Sequence, residues 1–245
     1  MKMENWKSRD KIGKSYYLLS FANNYLKLLI ELLYPSKRKH QRRPPIAQHH
    51  IYEHVRSTAA ELPKTTLTRV SGWYCGQYKY EPLKGLVWAV KYDNNSEAVS
   101  LCAHLLADEL VARLTDCISP MEGKLMLTAV PSTAYSLRER AVDHMQEIAI
   151  ALKPLLINFI LPNSSPDLLS ISPEAAQSLL QQSKTSNRAA RIIHARGKFE
   201  VKKHINEKGV ILIDDVVTTG ATMRDCARAL QTAGATHIYC VSLTH

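Results

Sequence analysis

Two carboxylates and three threonines lie close together in the C-terminal part of the sequence, directly after a short apolar run. Val210-Ile211-Leu212-Ile213 leads into Asp214-Asp215, and a turn of small residues then ends at Gly220. The apolar run predicts a buried strand, and the helical spacing of apolar residues after Gly220 predicts a helix. The turn therefore lies between the carboxyl end of a strand and the amino end of a helix, where α/β sheets bind ligands.

This turn has the chemistry of an anion site. Free backbone N–H groups and the positive end of a helix dipole attract phosphate, and Gly220 lets the backbone approach it closely. The threonine hydroxyls add further donors. Two carboxylates beside a phosphate would repel it unless a polar or cationic group separates them. Ribose hydroxyls can donate to carboxylates, and a bound magnesium ion would help further. The residues therefore predict a ribose-phosphate site.

Apolar patterns elsewhere predict the elements that position this turn. Strands are expected at 125–130, 156–161, 209–213 and 237–243. Helices are expected around Leu86 to Val90 and at 96–115, 141–153 and 221–233, with Gly234 as the stop of the last one. Residues 174–193 form either a polar helix or a mobile segment. Alternating strands and helices predict an α/β fold with a mainly parallel sheet and helices on both faces.

The N-terminal part is strongly basic. Residues 1–56 hold 12 Lys and Arg against 4 Asp and Glu, which gives +8 of the formal net charge of +10. An amphipathic helix at 15–33 is followed by a basic linker at 37–45. We expect an N-terminal helical and basic extension at 1–70 and a folded domain at 71–245. No secretory signal or membrane span is evident.

Cysteine and histidine spacing argues against a structural metal. The 5 cysteines are odd in number and none shows Cys-x-x-Cys spacing, which suits a reducing cytosol. His50 and His54 have the spacing of zinc ligands on a helix face, with His49 beside them. Because we expect no acid or Cys nearby to complete the set, we expect no metal site there.

The run from Ile213 to Thr222 strongly resembles the 5-phosphoribosyl-1-pyrophosphate (PRPP) signature of type I phosphoribosyltransferases. The resemblance implies a type I phosphoribosyltransferase-like fold in which Asp214 and Asp215 bind the ribose hydroxyls. It also implies a loop around the 5′-phosphate, made of Thr218, Thr219, Gly220, Ala221 and Thr222. Magnesium would arrive with PRPP rather than through direct protein ligands.

Residues 74–245 resemble, more narrowly, the ComF family, the competence-associated branch of these proteins. The matching segments are Glu81 to Leu86 with Val90-Lys91-Tyr92, Ala129 to Ser132 with Leu137 to Arg140, and the spaced Gln182, Arg191 and Phe199. By this resemblance Ser132, Arg138 and Arg140 belong to the pyrophosphate loop. The alternative for the two arginines is a solvated basic turn. Lys91 and Tyr92 either close over the site or form a surface pair.

Two departures from the ComF pattern bear on function. Ala141-Val142-Asp143 stands where the family has Gly-Phe-Asn, and His194 stands where it has Asn. The paired cysteines of the family's N-terminal zinc ribbon are missing, so we expect no structural zinc. A pyrophosphate loop without its usual glycine puts turnover in doubt more than ribose-phosphate binding.

The resemblance implies a PRPP-binding ComF-like protein that acts in natural competence by handling incoming single-stranded DNA. Its nucleic-acid contacts would come from Lys37, Arg38, Lys39, Arg42 and Arg43, which would bind phosphates without reading sequence. It further implies a cytoplasmic location, reaching the inner face of the membrane through DNA-uptake partners, other competence proteins as partners, and room for a homo-oligomer. The alternative is an active, magnesium-dependent phosphoribosyltransferase with an unidentified acceptor.

Overall fold

A five-stranded sheet forms the centre of the fold in this computed structural model. The structure describes residues 48–63, 66–93, 95–117, 123–132, 142–173, 175, 198–203, 205–206 and 208–245. The strands of this sheet are β1 (Ala60–Glu61), β2 (Val70–Gly76), β3 (Met126–Ala129), β6 (Val210–Val216) and β7 (Ile238–Thr244). Their order is β1-β2-β7-β6-β3; β1 is antiparallel to β2, and the other neighbours are parallel. The predicted mainly parallel sheet is confirmed.

Helices cover both faces of this sheet, as predicted. They are α1 (Gln48–Thr58), α2 (Glu81–Tyr92), α3 (Ser96–Cys117), α4 (His144–Leu152) and α5 (Ala221–Thr232). On one face, the Cys75 thiol of β2 donates to the Leu105 carbonyl of α3 at 3.6 Å. On the other face, α5 packs its buried Cys226 and Leu230 into a core with Leu212 of β6. Because side chains alternate along a strand, neighbouring residues of β6 face these two different helix layers.

The helix predicted at 221–233 closely matches α5, and Gly234 ends it in a left-handed conformation with a φ of 97°. The strand predicted at 156–161 is wrong. There α4 continues into a 3₁₀ turn at Lys153–Leu156, and only Ile160 makes a parallel bridge, to Leu125. A short apolar run fits either structure, and here Pro154 occupies an early position of the 3₁₀ turn, where its missing N–H costs nothing.

Besides the two-residue strand β1, two β structures were not predicted. The first is β2, which pairs along the whole length of β7 and brings Val70 beside Ile238. The second is a separate antiparallel hairpin of β4 (Leu169–Ile171) and β5 (Phe199–Val201). Gly72 interrupts β2 and Gly76 ends it, so its sequence lacks a clear strand pattern. At Gly72 a Cβ would lie 3.0 Å from Cδ1 of Leu62, so the Leu62 side chain would have to shift slightly to admit a larger residue.

Residues 49–245 form one compact unit. The amphipathic helix predicted at 15–33, the basic linker at 37–45 and most of the segment at 174–193 lie outside the described residues. Among the helices that the structure describes, none combines the length and apolar character needed to cross a bilayer.

Candidate functional site

The loop between β6 and α5 presents polar groups at the carboxyl end of the sheet. Thr218, Thr219 and Thr222 are exposed there. The loop starts where the Val217 N–H donates to the Thr244 carbonyl at 2.9 Å, which ties it to the end of β7. Within the described part of the chain, no acceptor receives the backbone N–H groups of Thr218, Thr219, Gly220 or Thr222. These donors are therefore available to an anion.

Gly220 sets the geometry of this loop. Its φ of 70° is left-handed, which an L side chain adopts only at a cost, so the position favours glycine. The Gly220 carbonyl accepts the N–H of Arg224 at 2.9 Å, which is the first hydrogen bond of α5. The hydroxyl of Thr219 accepts the N–H of Ala221 at 3.4 Å. The loop thus turns directly into the positive end of the helix dipole.

Asp214 lies on the face of the sheet that α5 covers. Its Oδ1 accepts the backbone N–H of Asp215 at 2.9 Å. Burial, followed by the neighbouring charge of Asp215, raises the pKa of Asp214 to about 8. Burial, followed by the Asp214 carboxylate, likewise raises the pKa of Cys240 to about 12, which fits two side chains on the same face. At neutral pH Asp214 is therefore mainly a neutral carboxylic acid.

Asp215 lies on the opposite face, where two basic side chains meet its carboxylate. Nε2 of His144 lies 2.5 Å from Oδ2 of Asp215, and Nζ of Lys91 lies 2.8 Å from the same oxygen. Burial alone would raise the pKa of Asp215. The hydrogen bond from His144 and the charge of Lys91 outweigh that effect and lower the pKa to about 2. Asp215 is therefore an anion held by the protein itself.

The two acids thus differ in what they offer a ligand. Asp215 already has two protein partners on one oxygen, whereas Asp214 has one backbone donor and stays partly exposed. The interpretation of Lys91 as a residue close to the site agrees with its ion pair with Asp215, while Tyr92 beside it is 55% exposed. Sequence reasoning missed His144. The only available signal was Asp143, whose carboxylate accepts the Met145 N–H at 3.2 Å and marks the start of α4.

Ser132 follows the end of β3, which is the neighbouring strand to the one that carries the two acids. The Val130 N–H donates to the Ile213 carbonyl at 2.9 Å, so the end of β3 lies beside the strand that carries them. The Ser132 hydroxyl donates to Oδ1 of Asp143 at 2.9 Å. This bond joins two residues that flank the segment 133–141. Arg138 and Arg140 belong to that segment and, like the basic residues 37–43, lie outside the described part.

The exposed face of α1 carries a histidine cluster that differs from the one expected. Nδ1 of His49 and Nδ1 of His50 lie 3.6 and 3.7 Å from Oε2 of Glu53. The expectation that no acid lies nearby was therefore wrong, because Glu53 is one turn away. His54 does not join this set. Its ring stacks on Tyr80 with 3.9 Å between centroids, and its Nε2 accepts the N–H of Gln77 at 3.3 Å.

Comparison with known proteins bears on the β6–α5 site. No curated protein matches the chain. Residues 166–244, which run from just before β4 to the end of β7, match the family model described as the phosphoribosyl transferase domain. The matched stretch includes both acids, the whole threonine loop and α5. The match supports a domain of the type I phosphoribosyltransferase superfamily in this part of the chain, with the ribose-phosphate ligand that such a domain implies.

Proposed function

We propose that the β6–α5 loop binds the 5′-phosphate of PRPP or a related ribose phosphate. The observation that carries this proposal is the left-handed Gly220 at the start of α5, surrounded by backbone donors without acceptors in the described residues. A dianionic phosphate would satisfy those donors and gain from the helix dipole. The family match over residues 166–244 supports the same ligand.

In this proposal Asp214 is the acid that contacts the ribose, while Asp215 holds the site together. A ribose hydroxyl can donate to Asp214 once its proton has left, whereas Oδ2 of Asp215 already accepts from two basic groups. The pair does not offer two free carboxylates to a metal ion. Magnesium would therefore be held mainly by the diphosphate of PRPP, where it neutralises phosphate charge.

A thermal-shift titration tests this site. PRPP with magnesium should raise the melting temperature of the full chain, because a ligand that binds only the folded state stabilises it. Asp214→Asn should reduce the shift, and Asp214→Asn combined with Asp215→Asn should abolish it. Asp225→Asn, in α5 and paired with the exposed Arg228, serves as the control and should keep the full shift. A full shift in the double variant would remove the acids from the site.

A narrower proposal is that the protein is ComF-like and handles single-stranded DNA during natural competence, with the basic extension holding the strand. The charge of +8 over residues 1–56 supports this role, since clustered Lys and Arg bind phosphates. Single-stranded oligonucleotide binding should then weaken steeply with added salt. It should also weaken when Lys37, Arg38 and Lys39 are replaced by alanine. Equal affinity at low and high salt, or in that variant, would contradict the role.

The alternative proposal is turnover, in which an acceptor displaces pyrophosphate from ribose C1. The Ser132–Asp143 bond supports it, because this bond joins the residues that flank the segment carrying Arg138 and Arg140. Arginine forks fit pyrophosphate oxygens well. Release of pyrophosphate from PRPP, measured across a panel of bases and amines, tests it. An unchanged rate of pyrophosphate release in Arg138→Ala would rule out the proposed pyrophosphate loop.

A further inference from the structure

A cleft of about 410 Å³ lies beside the phosphate loop, on the face of the sheet that α5 covers. Leu62, Val70 and Gly72 line its strand side, and Met223 and Arg224 of α5 line its helix side. Thr219 and Gly220 line it as well, so the cleft shares two residues with the β6–α5 loop. Its volume lies within the range of small-molecule pockets.

Arg224 gives this mostly apolar cleft a positive charge. Its Nη1 lies 3.6 Å from the point where a Cβ on Gly220 would stand, so the guanidinium rests against the loop. In the described ranges no carboxylate pairs with it. The next arginine of α5 behaves differently, because Nη1 of Arg228 lies 3.0 Å from Oδ1 of Asp225. Arg224 is therefore placed to receive an anion.

The base of the cleft is chemically inert. Cys240 lines it, but burial and the Asp214 carboxylate raise the pKa of its thiol to about 12, which keeps it protonated. Glu61 contributes an acceptor on the strand side. A ligand here would therefore be held without covalent chemistry, by apolar contact and one charge-assisted contact to Arg224.

From these features we infer that the cleft is a second small-molecule site. It takes a mainly apolar molecule that carries one anionic group, with the anion on Arg224 and the apolar part between β2 and α5. The site stands apart from the proposed PRPP function, since it uses neither acid for binding. Because Thr219 and Gly220 belong to both sites, a ligand in the cleft would restrict the loop that holds the phosphate.

A pair of fluorescent dyes tests this site on the full chain. The anionic probe is 8-anilinonaphthalene-1-sulfonate, and the neutral probe is N-phenyl-1-naphthylamine, which has the same rings without the sulfonate. Arg224→Met should weaken the anionic dye about tenfold, the value expected for one charge-assisted contact, and leave the neutral dye unchanged. Arg228→Met is the matched control and should change neither dye.

Dye binding to a variant with a smaller cleft and the melting temperature of each variant separate loss of the site from loss of the fold. Val70→Phe adds volume inside the cleft and should weaken both dyes, while the melting temperature reports whether each variant folds. Equal affinity of the anionic dye for wild type and Arg224→Met would overturn the site, and so would an equal loss in Arg228→Met. If PRPP raises the melting temperature but dye binding does not depend on Arg224, only the proposal of a second site in the cleft is refuted. If dye binding depends on Arg224 but PRPP does not raise the melting temperature, only the PRPP proposal is refuted.

Discussion

Nε2 of His144 lies 2.5 Å from Oδ2 of Asp215, although the two residues are 71 positions apart in the chain. Because the lowered pKa keeps Asp215 ionised, its carboxylate accepts and the imidazole N–H donates. Lys91 reaches the same oxygen from the end of α2. One carboxylate oxygen thus joins α2, α4 and β6 at the carboxyl end of the strands, where the β6–α5 loop lies.

Replacing Asp215 should destabilise the fold. Asp215→Asn leaves Lys91, whose side chain is 18% exposed, without its counter-charge, and loss of one partner of a buried pair costs on the order of 3 kcal/mol. Asp225→Asn breaks a pair whose arginine is 44% exposed and should cost under about 1 kcal/mol. Urea unfolding of both variants provides the comparison. Similar losses would mean that Asp215 does not anchor the three elements.

Asp214 should make stability depend on pH in a defined direction. Its pKa in the folded protein is about 8, above the ordinary value of 3.8, so the folded state holds a proton that the unfolded chain has lost between these values. The stability that this proton provides is complete below pH 3.8 and is lost as pH rises to about 8. Asp214→Asn keeps the neutral form at every pH. Its melting temperature relative to wild type should therefore rise from pH 5 to pH 8, and a constant difference would contradict the raised pKa.

Ribose-phosphate binding should release a proton from Asp214 at pH 7. A ribose hydroxyl donates more strongly to the ionised carboxylate than to the neutral acid, so binding should favour ionisation of Asp214 and lower its pKa. Calorimetric titration of PRPP with magnesium in two buffers of different ionisation enthalpy measures this release. Asp214→Asn corrects for protons that come from the ligand itself. Identical buffer dependence in wild type and variant would show that Asp214 stays protonated in the complex.

A methyl group at Gly220 should weaken both the fold and the ligand site. Gly220→Ala forces an L side chain into left-handed backbone, which costs about 1 kcal/mol, and it should reduce the PRPP-induced thermal shift. Gly85→Ala is the matched control. Gly85 lies inside α2 with no atom within 4 Å of its would-be Cβ, so alanine there should stabilise by up to about 1 kcal/mol. If Gly220→Ala and Gly85→Ala changed stability and the PRPP-induced shift equally, the left-handed conformation of Gly220 would have no role in either.

The segment from β6 through α5 was predictable because its signals are local. An apolar strand, a run of loop residues and an amphipathic helix follow one another without interruption from Val210 to Thr232. The helix α3 was predictable for the same reason, because its apolar residues recur at helical spacing over a long stretch. In these segments the element that the local apolar pattern predicts is the element that the structure contains.

The partners of Asp215 were harder to predict because they depend on tertiary packing. Nothing near His144 or Lys91 in the sequence points to an acid that follows them by many residues. The sequence also treats Asp214 and Asp215 as an equivalent pair. Side chains alternate between the two faces along β6, and each face packs against different helices. This difference makes Asp214 mainly neutral and Asp215 charged.

The position of β7 has a consequence for how the molecule folds. It lies between β2 and β6, so that Val70 and Val210 both pair with Ile238. A fragment without residues 238–244 would leave β1–β2 and β6–β3 as two separate pairs. Since such distant pairings are slow to form, assembly of the sheet should be a late and slow kinetic event. The β6–α5 loop, tied to β7 through Thr244, should gain its final shape only at that step.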